Sequence, residues 1–563
     1  MYLAKFHIEN FRGIRSVDLT FDQESIMIGE NDCGKSTILE ALALILGSEI
    51  ESESPQFKLF HFFCLTQGEV AVPVGPIRLA LTFVERYLRE WSTLDTGALH
   101  VVWPKSNEIP NELIFEMWAI PTLDGSDSKA HWKLTVEQSE TVLQEDDPKV
   151  LEWIRQMSPL IWVRGGAKSG RIDLGRLMGK TGGPIQEGNP EMLDMMGKID
   201  THYKNVMAGT TTNIQEELQS GYNVAVDLLN KATSIFSGKR GSLHRVVEEV
   251  LGDKAVSPQS ESHDVLRLHG SAAEKIGVLL FTVALLHSGT RVLHPGAEPI
   301  ILIEDPEAHL HPMTLMSIMV LIEDIKWQKI ITTQSSLLIS TVPLFSLRRI
   351  TRDRGFVKEW KVSPGSISNE DLRRLNYHLR MRHGEATFGR CWLLIEGESE
   401  TWILPNMARL CGFELQLEGV ECVEFAQCGI KPLIRIAEQL GIEWYLLADG
   451  DKSGDYYVET ARTFLSEGEE ESKRITQFHE WDIENFFWSQ GYSGVYQHYA
   501  EVSQRVSKSI PPKQVIRRAI ENRSKPFLAI AVVEAASRDG SPRVPELLRK
   551  MITTVVDLAH KKV

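Results

Sequence analysis

Hydrophobic and polar positions recur with two different periods along the chain, and together they predict an α/β fold. Residues 2–9 and 15–21 alternate with the period of half-buried strands, and 25–28 forms a third, apolar strand. Apolar residues recur on one face of 36–46, which predicts a helix. Further strands are predicted at 75–85, 99–103, 113–119 and 300–303, helices at 140–157, 190–237 and 271–287, and a loop at 164–185.

Strands and helices alternate regularly in the second half of the chain. The predicted strands are 391–395, 420–425 and 444–448, and the predicted helices are 399–411 and 431–440. This alternation is typical of a parallel sheet. All strands of such a sheet end at one edge, where ligands usually bind. The residues beyond 508 are predicted to be mostly helical.

The composition narrows the class of protein. A length of 563 residues predicts about three or four domains. A hydrophobic fraction of 42% with 24% charged residues excludes a disordered or collagen-like chain. The net charge of −15 excludes a basic coat over the whole chain but leaves a local basic patch open. The six cysteines contain no CxxC pair, which argues against a zinc ribbon and favours free thiols.

The sequence contains no pattern that predicts export or membrane insertion. The first residues lack the apolar core of a signal peptide. The longest apolar run, 276–286, is too short to span a bilayer. We therefore expect a cytoplasmic protein without a membrane partner.

A phosphate-binding motif follows the third predicted strand. The segment from Gly29 to Ser36 fits GxxxxGK[ST] and leads into a predicted helix. In such a loop, backbone N–H groups surround phosphate, Lys35 supplies a cation and Ser36 a hydroxyl for Mg²⁺. A structural glycine turn is the alternative. The nucleotide-binding residues predicted from the motif are Gly29, Asn31, Gly34, Lys35, Ser36 and Thr37.

Two acids, Glu304 and Asp305, end a second apolar strand at 300–303. One acid of such a pair can hold Mg²⁺ through water, and the next can orient the attacking water. The alternative is a strand end with two solvated acids. Next to a phosphate loop, the pair favours a nucleotide site.

Six further acids occur in pairs: two pairs follow the predicted strands 391–395 and 444–448, and a third pair comes later in the chain, at 482 and 484. Two unit charges 4 Å apart repel by about 4 kcal/mol at an effective dielectric constant near 20. A divalent cation removes this cost, and oxygen ligands suit Mg²⁺ or Mn²⁺. Separate acids that cap helices are the alternative. The acids in this pattern are Glu396, Glu400, Asp449, Asp451, Asp482 and Glu484, and Ser36 offers a hydroxyl to the Mg²⁺ of the nucleotide site.

The first half of the chain resembles the ABC-type ATPases of the SMC and OLD (overcoming lysogenisation defect) group. The resemblance rests on Glu9-Asn-Phe-Arg-Gly13, the phosphate loop, the acids 304–305 with Pro306-Glu307-Ala-His309, and 330–335. It implies ATP as cofactor, Glu304 for Mg²⁺ and Asp305 for the catalytic water. Gln334 stands where the group usually has a histidine, and it can bond a γ-phosphate but carries no charge.

Residues 268–274 depart from the group's signature. Here Ser271 and Glu274 also fit a helix capping box, an alternative that stays open. ATP binding is therefore a firmer expectation than brisk hydrolysis.

The second half resembles a Toprim domain, and an ABC-type head followed by Toprim is the layout of OLD-family nucleases. The motifs are Glu396-Gly-Glu-Ser-Glu400, Gly429, Asp449-Gly-Asp451 with Gly454, Asp482-Ile-Glu484 and Ser524-Lys525-Pro526. The resemblance implies that the six acids bind metal and that Lys525 stabilises charge on the scissile phosphate. A surface lysine before a turn proline is the alternative for Lys525.

The resemblance covers residues 1 to about 550 and is weakest across 50–260. It implies an ABC-type head with a helical insertion, then a parallel-sheet Toprim domain and C-terminal helices. The predicted segments are 1–175 and 263–370 for the head, 176–262 for a dimerisation insertion, 385–510 for Toprim and 511–563 for the extension that carries Lys525.

These expectations lead to an ATP-dependent DNA endonuclease, a homodimer that acts in phage defence or DNA processing, with a possible accessory defence protein. An SMC-type DNA clamp with a non-cleaving Toprim domain is the alternative. A primase is less favoured, because it would normally bring a zinc ribbon and the sequence has no CxxC pair. A topoisomerase is less favoured, because Tyr456 and Tyr457 stand near the acids but no separate tyrosine-bearing domain is visible. Basic tracts at 348–382 and 517–525 are either solvated faces or phosphate contacts.

Overall fold

The computed structural model divides into two compact units. Unit 1 comprises Met1–Ser335 and Arg354–Glu359, and unit 2 comprises Ser336–Asp353 and Trp360–Val563. The structure describes residues 1–47, 56–67, 70–88, 90–93, 110–122, 127–136, 141–142, 145–163, 198, 297–308, 312–323, 325–378, 384–501, 510–538 and 543–561. The predictions for 99–103, 164–185, 190–237 (apart from residue 198) and 271–287 lie outside these residues, as do the insertion and the Ser271 cap.

Unit 1 is built on two runs of neighbouring strands. Its strands are β1 (Tyr2–Phe11), β2 (Ile14–Thr20), β3 (Glu24–Ile28), β4 (Gln56–Phe57), β5 (Cys64–Gln67), β6 (Val70–Pro73), β7 (Ile77–Val84), β8 (Glu112–Ala119), β9 (Ser128–Lys129), β10 (His131–Val136), β11 (Thr141–Val142), β12 (Leu160–Val163), β13 (Ile300–Glu304) and β14 (Gln328–Thr332). Its helices are α1 (Lys35–Leu46), α2 (Pro148–Met157) and α3 (Pro312–Glu323).

The first run is antiparallel, in the order β11-β10-β8-β7-β1-β2. Side chains along β7 alternate between buried and more exposed positions, as the sequence pattern predicts for a half-buried strand. The second run, β3-β14-β13-β12, is parallel. β13 and β14 are buried along nearly their whole length, which is typical of a parallel sheet covered on both faces.

The predicted helix at 140–157 is wrong in its first half. Residues Thr141–Val142 form a short strand that pairs with β10, and the helix begins only at Pro148. The Asp147 side chain accepts a hydrogen bond from the Lys149 backbone N–H at 3.0 Å and caps the helix. A capping aspartate followed by proline at the first helical position sets this later start.

Unit 2 contains a four-stranded parallel sheet in the order β18-β17-β19-β20. Its strands are β15 (Leu347–Asp353), β17 (Cys391–Ile395), β18 (Val420–Glu424), β19 (Glu443–Ala448) and β20 (Ile475–Gln477), and β16 (Phe356–Lys361) begins in unit 1. Its helices are α4 (Ser336–Thr341), α5 (Asn369–His378), α6 (Glu398–Leu410), α7 (Ile430–Gln439), α8 (Lys452–Arg462), α9 (Ile483–Phe487), α10 (Ser493–Tyr499), α11 (Pro512–Asn522), α12 (Lys525–Ala536) and α13 (Glu546–Ala559).

The C-terminal helices complete the core of unit 2. Helix α12 packs against α6, and α13 packs against the sheet strands β17 and β19. Leu528, Val532 and Ile552 are fully or almost fully buried in the same apolar cluster as Leu393 of β17. This packing brings the first residue of α12, Lys525, towards the strand ends. No helix in the described ranges is both long enough and apolar enough to cross a bilayer.

Candidate functional sites

The predicted phosphate loop forms a tight turn between β3 and α1. Gly29 and Gly34 have φ angles of 151° and 109°, in the region that favours glycine. The Gly34 conformation allows helix α1 to begin directly at Lys35. The positive end of this helix therefore opens onto the loop, as in phosphate sites of this kind.

Lys35, the lysine of the phosphate loop, is held by hydrogen bonds to the loop backbone. Its Nζ donates hydrogen bonds to the carbonyl oxygens of Gly29 at 2.8 Å and Glu30 at 2.9 Å. The residue is buried, whereas Asn31 and Ser36 are exposed and Thr37 is half-buried. The ammonium group is thus held over the loop, with the two hydroxyls of the following turn open to a ligand.

The parallel register brings the predicted acid pair to the same sheet edge as the loop. Thr332 of β14 is the register partner of both Met27 in β3 and Glu304 in β13. The backbone turns sharply at Asp305, which has a φ of 43° and donates its N–H to the Thr332 carbonyl at 3.1 Å. Glu304 and Asp305 therefore lie one strand away from the phosphate loop.

Glu307 is a candidate that the sequence analysis quoted only as part of a motif. Its Oε1 accepts a hydrogen bond from the Gln334 backbone N–H at 2.6 Å. Its Oε2 is buried and has no hydrogen-bond partner among the described residues. The Gln334 side chain is exposed. Glu307 thus fixes the backbone of the predicted switch residue, a contact over 27 positions that the local sequence does not reveal.

The predicted acids of unit 2 gather at the carboxyl edge of its parallel sheet. Neighbouring strands β17 and β19 end at Ile395 and Ala448, so Glu396 and Asp449 follow the ends of adjacent strands. Glu400 is buried in the first turn of α6. The strand does not continue to Asp451, whose carboxylate caps α8 by accepting the Gly454 N–H at 2.7 Å. Asp449 and Asp451 are therefore brought together by a turn and not by strand alternation.

The two later acids, Asp482 and Glu484, are carried by the start of α9, and Lys525 is carried by the start of α12. Glu484 is buried in the first turn of α9, and its Oε1 accepts the Ser399 hydroxyl at 2.8 Å. The Lys525 Nζ lies 3.3 Å from the same oxygen. Asp482 caps α9 by accepting the Asn485 N–H at 2.8 Å. Ser399, which the sequence analysis did not select, thus ties the α6 acids to Glu484.

Burial and mutual repulsion raise the pKa values of three of these carboxyl groups. Burial, followed by Glu396 and the late acids, raises the pKa of Asp449 to about 8. Burial, followed by Asp449, raises the pKa of Glu400 to about 8. The pKa of Glu396 is raised by burial and by Asp451. Burial opposes the charge on Lys525, but Glu484 outweighs it and raises the pKa of the lysine.

The carboxylates, here called the acidic cluster (Glu396, Glu400, Asp449, Asp451, Asp482 and Glu484), fit a divalent cation in their chemistry. No three His, Cys, Asp or Glu side chains in the described part of the chain already surround a common metal position. The Glu396 Oε2 atom is nevertheless buried and accepts no hydrogen bond from any residue that the structure describes. An oxygen-only donor set with raised pKa values is relieved by Mg²⁺ or Mn²⁺, so the residues fit such an ion.

The repulsion at Asp449 predicts a stabilising substitution in metal-free buffer. The folded state holds the Asp449 proton more tightly than the unfolded chain, because the pKa of Asp449 is raised by folding. The contribution of this proton to the free energy of unfolding is fully present below pH 3.8, the ordinary pKa of the group, and is lost as pH rises through about 8, the pKa in the folded state. Asp449→Asn should raise the melting temperature by about 2–4 °C at pH 8, the effect of about 1 kcal/mol in a domain of this size. Calorimetry in EDTA measures it.

The gain from Asp449→Asn should shrink as the pH is lowered towards 5, because wild-type Asp449 then keeps its proton in the folded state. Glu467→Gln is the matched control, since Glu467 is exposed and far from the sheet edge in sequence. An equal gain at both pH values, or the same gain in the control, would contradict the repulsion.

Two arginines of the basic tract 348–382 have a structural role. Arg348 and Arg349 are buried. The Arg349 guanidinium donates to the carbonyl oxygens of Gly389 at 3.0 Å, Leu440 at 3.0 Å and Gly441 at 2.9 Å. These two cations are therefore unavailable to a nucleic acid, and charge counting overestimates the basic surface of this tract.

The sheet order, the acids at its edge and the sequence together identify an OLD-like Toprim region within unit 2. A family model described as "Overcoming lysogenization defect protein-like, TOPRIM domain" matches residues 388–451. A second model, described as "Protein of unknown function (DUF2813)", matches residues 1–386. The chain therefore belongs to this DUF2813 family. The predicted OLD resemblance and the predicted α/β fold class are confirmed.

Several known proteins are similar to this chain. The "Uncharacterized protein YbjD" of Escherichia coli is 31% identical over 100% of this chain and 99% of its own length. A solved C-terminal region of the Burkholderia pseudomallei OLD protein is 15% identical, with a TM-score of 0.27, over 31% of this chain and 99% of that one. The SMC head domain from Thermotoga maritima is 14% identical, with a TM-score of 0.29, over 64% of this chain and 100% of that one.

Proposed function

We propose that the protein is an ATP-binding, divalent-metal-dependent DNA endonuclease whose cleavage is regulated by nucleotide. The observation that carries this proposal is the acidic cluster with Lys525 beside it, at the carboxyl edge of an OLD-like Toprim sheet. Hydrolysis of a phosphodiester needs a held water, a held phosphate and compensation of the charge on the leaving oxygen. The cluster offers residues for each task.

Each residue has a defined task in this proposal. Glu396, Glu400, Asp449 and Asp451, with Asp482 and Glu484, would hold the metal ions. When bound, two such ions supply an activated water and stabilise the leaving oxygen. Lys525 is half-exposed and ion-paired to Glu484, so its ammonium is positioned for a phosphate oxygen. Ser399 orients Glu484 through its hydroxyl.

The nucleotide part of the proposal rests on the phosphate loop. Gly29, Asn31, Gly34, Lys35, Ser36 and Thr37 would hold the phosphates of ATP, with Ser36 and Glu304 on its Mg²⁺. Asp305 would orient the water, and Gln334, positioned by Glu307, would bond the γ-phosphate. We extend the proposal to a cytoplasmic homodimer with a role in phage defence and a possible accessory protein.

Plasmid nicking tests the nuclease proposal. Supercoiled DNA is incubated with the full chain and Mg²⁺ or Mn²⁺, with and without ATP, and the products are separated on a gel. We expect nicked and linear forms only with a divalent ion, and a change in rate on adding ATP. Supercoiled DNA that stays intact with either ion, with and without ATP, would overturn the nuclease proposal.

An SMC-type DNA clamp with a non-cleaving Toprim domain is the second candidate. The phosphate loop supports it, because Lys35 and the start of α1 would bind nucleotide whether or not the acidic cluster cleaves DNA. It predicts ATP-dependent retention of circular DNA without strand breaks. The same incubation, followed by a high-salt wash of immobilised protein, separates retention from cleavage.

A further inference from the structure

Three helices that carry acidic-cluster residues or Lys525 in their caps or first turns also place exposed aromatic side chains nearby. Tyr456 lies on α8, which Asp451 caps, and Trp481 precedes the Asp482 cap of α9. Phe527 is the third residue of α12, two positions after Lys525. Their exposed fractions are 67%, 52% and 42%. Single exposed aromatic residues are common on protein surfaces, and what distinguishes these three is their position at the helix starts that carry acidic-cluster residues or Lys525.

Two of these rings are paired with exposed cations. The Lys513 Nζ lies 4.4 Å from the centroid of the Trp481 ring. The Arg523 guanidinium carbon lies 5.6 Å from the Phe527 ring centroid. Lys513 and Arg523 are themselves exposed. A cation that lies over a ring and remains exposed to solvent can also bind the phosphate of a nucleotide whose base stacks on that ring.

Two of the three rings, Phe527 and Tyr456, also contact further aromatic side chains. Tyr499 contacts the Phe527 ring in a T-shaped arrangement with centroids 5.2 Å apart. Tyr457 contacts Tyr456 at 5.9 Å and the fully buried Phe425 at 4.7 Å. Supported rings lose little side-chain entropy on binding, which favours stacking on a flat partner.

We propose that Trp481, Phe527 and Tyr456 form a stacking platform for unpaired DNA bases beside the acidic cluster. The preferred substrate class is then DNA with a single-stranded segment. This inference rests on the proposed nuclease function and deepens it. In duplex DNA the bases stack on each other, so only unpaired bases offer a free face to a ring. Lys513 and Arg523, which lie over two of the rings, would supply cations for the backbone of the same strand.

A binding experiment with three matched DNA probes tests the platform. Fluorescence anisotropy of the full chain in Ca²⁺ buffer is measured with labelled oligothymidine, an abasic strand of the same length and a duplex of the same length. We expect the wild type to prefer oligothymidine over both other probes. Trp481→Ala and Phe527→Ala should each weaken oligothymidine binding about 5- to 100-fold and leave the abasic strand unaffected.

Two variants make the result specific to stacking. Trp481→Phe keeps a ring and should retain most of the affinity. Tyr377→Ala removes an aromatic residue that is 62% exposed on α5, a helix that carries no acidic-cluster residue, and should change nothing. Melting temperatures show that each variant is folded.

The possible outcomes are distinct. Equal wild-type affinity for oligothymidine and the abasic strand would overturn the platform, even if plasmid nicking succeeds. Loss of self-association in Trp481→Ala, with unchanged DNA affinity, would assign the rings to a second copy of the chain and also overturn it. Preferential binding of oligothymidine without any cleavage would support the platform while the nuclease proposal fails. No binding to any probe would overturn the platform, and plasmid nicking alone would decide the nuclease proposal.

Discussion

Replacing Glu396 and Asp449 together by alanine is expected to abolish cleavage of plasmid DNA, with a rate loss of about 1,000-fold or more. The two acids follow the ends of neighbouring strands, and Glu396 carries a buried oxygen that has no hydrogen-bond partner within the described ranges. Without them the divalent ions would lose two of their six proposed ligands, and the activated water would no longer be held beside the phosphodiester. Initial rates of nicking with Mg²⁺ and with Mn²⁺ measure the effect.

The control for this pair is Glu459→Ala with Glu467→Ala, which removes two exposed acids of the same unit. The control should cleave at the wild-type rate, which excludes a general effect of net charge. The Glu396 and Asp449 variant should melt no lower than wild type in EDTA, because the repulsion is reduced. Undiminished cleavage by a folded double variant would reject the assignment of the acidic cluster as the nuclease site.

Lys35→Ala is expected to weaken ATP binding about 100-fold or more. Lys35 is the cation held over the phosphate loop by the carbonyls of Gly29 and Glu30. Alanine removes the charge that would face the β- and γ-phosphates and leaves the loop carbonyls without their donor. Titration with a fluorescent ATP analogue, with Mg²⁺ present, measures the dissociation constant.

Lys5→Ala serves as the comparison, since Lys5 is an exposed lysine on β1 of the same unit. It should bind the analogue like the wild type. If Lys35→Ala and wild type bind equally, the loop is a structural glycine turn and the nucleotide part of the proposal fails. If binding is lost but nicking proceeds unchanged, nucleotide does not regulate cleavage.

The parts of the candidate sites that could be predicted are those whose residues are recognised from their immediate neighbours in the sequence. The phosphate loop was found because glycine, lysine and serine at fixed spacing are tied to one backbone turn. Glu396 and Asp449 were found because each directly follows an apolar run that can only be a buried strand. Among the elements that were predicted one by one within the described residues, most start and end within a few positions of the prediction, but many described strands and helices were not predicted at all.

The parts that the sequence missed depend on contacts between distant positions. The Ser399 hydroxyl acquires its role only because Glu484, 85 positions later, folds back against it. Glu307 holds Gln334 by a similar long-range contact. Arg349 was misread as a basic surface residue, because charge counting does not show burial. The helix at 140–157 was extended too far because its apolar period continues across the Asp147 cap.

The buried Arg349 has a consequence for how such proteins can be recombined. Its three backbone acceptors, at Gly389, Leu440 and Gly441, all flank strands of the Toprim sheet. The Toprim family match begins at residue 388, and the preceding match ends at 386, yet the compact unit reaches back to Ser336. A domain exchange made at residue 387 would separate the arginine from its acceptors. The Toprim part that begins at the boundary between the two family matches therefore lacks a buried residue of its own compact unit. A chimaeric protein should be joined before Ser336 and not at residue 387.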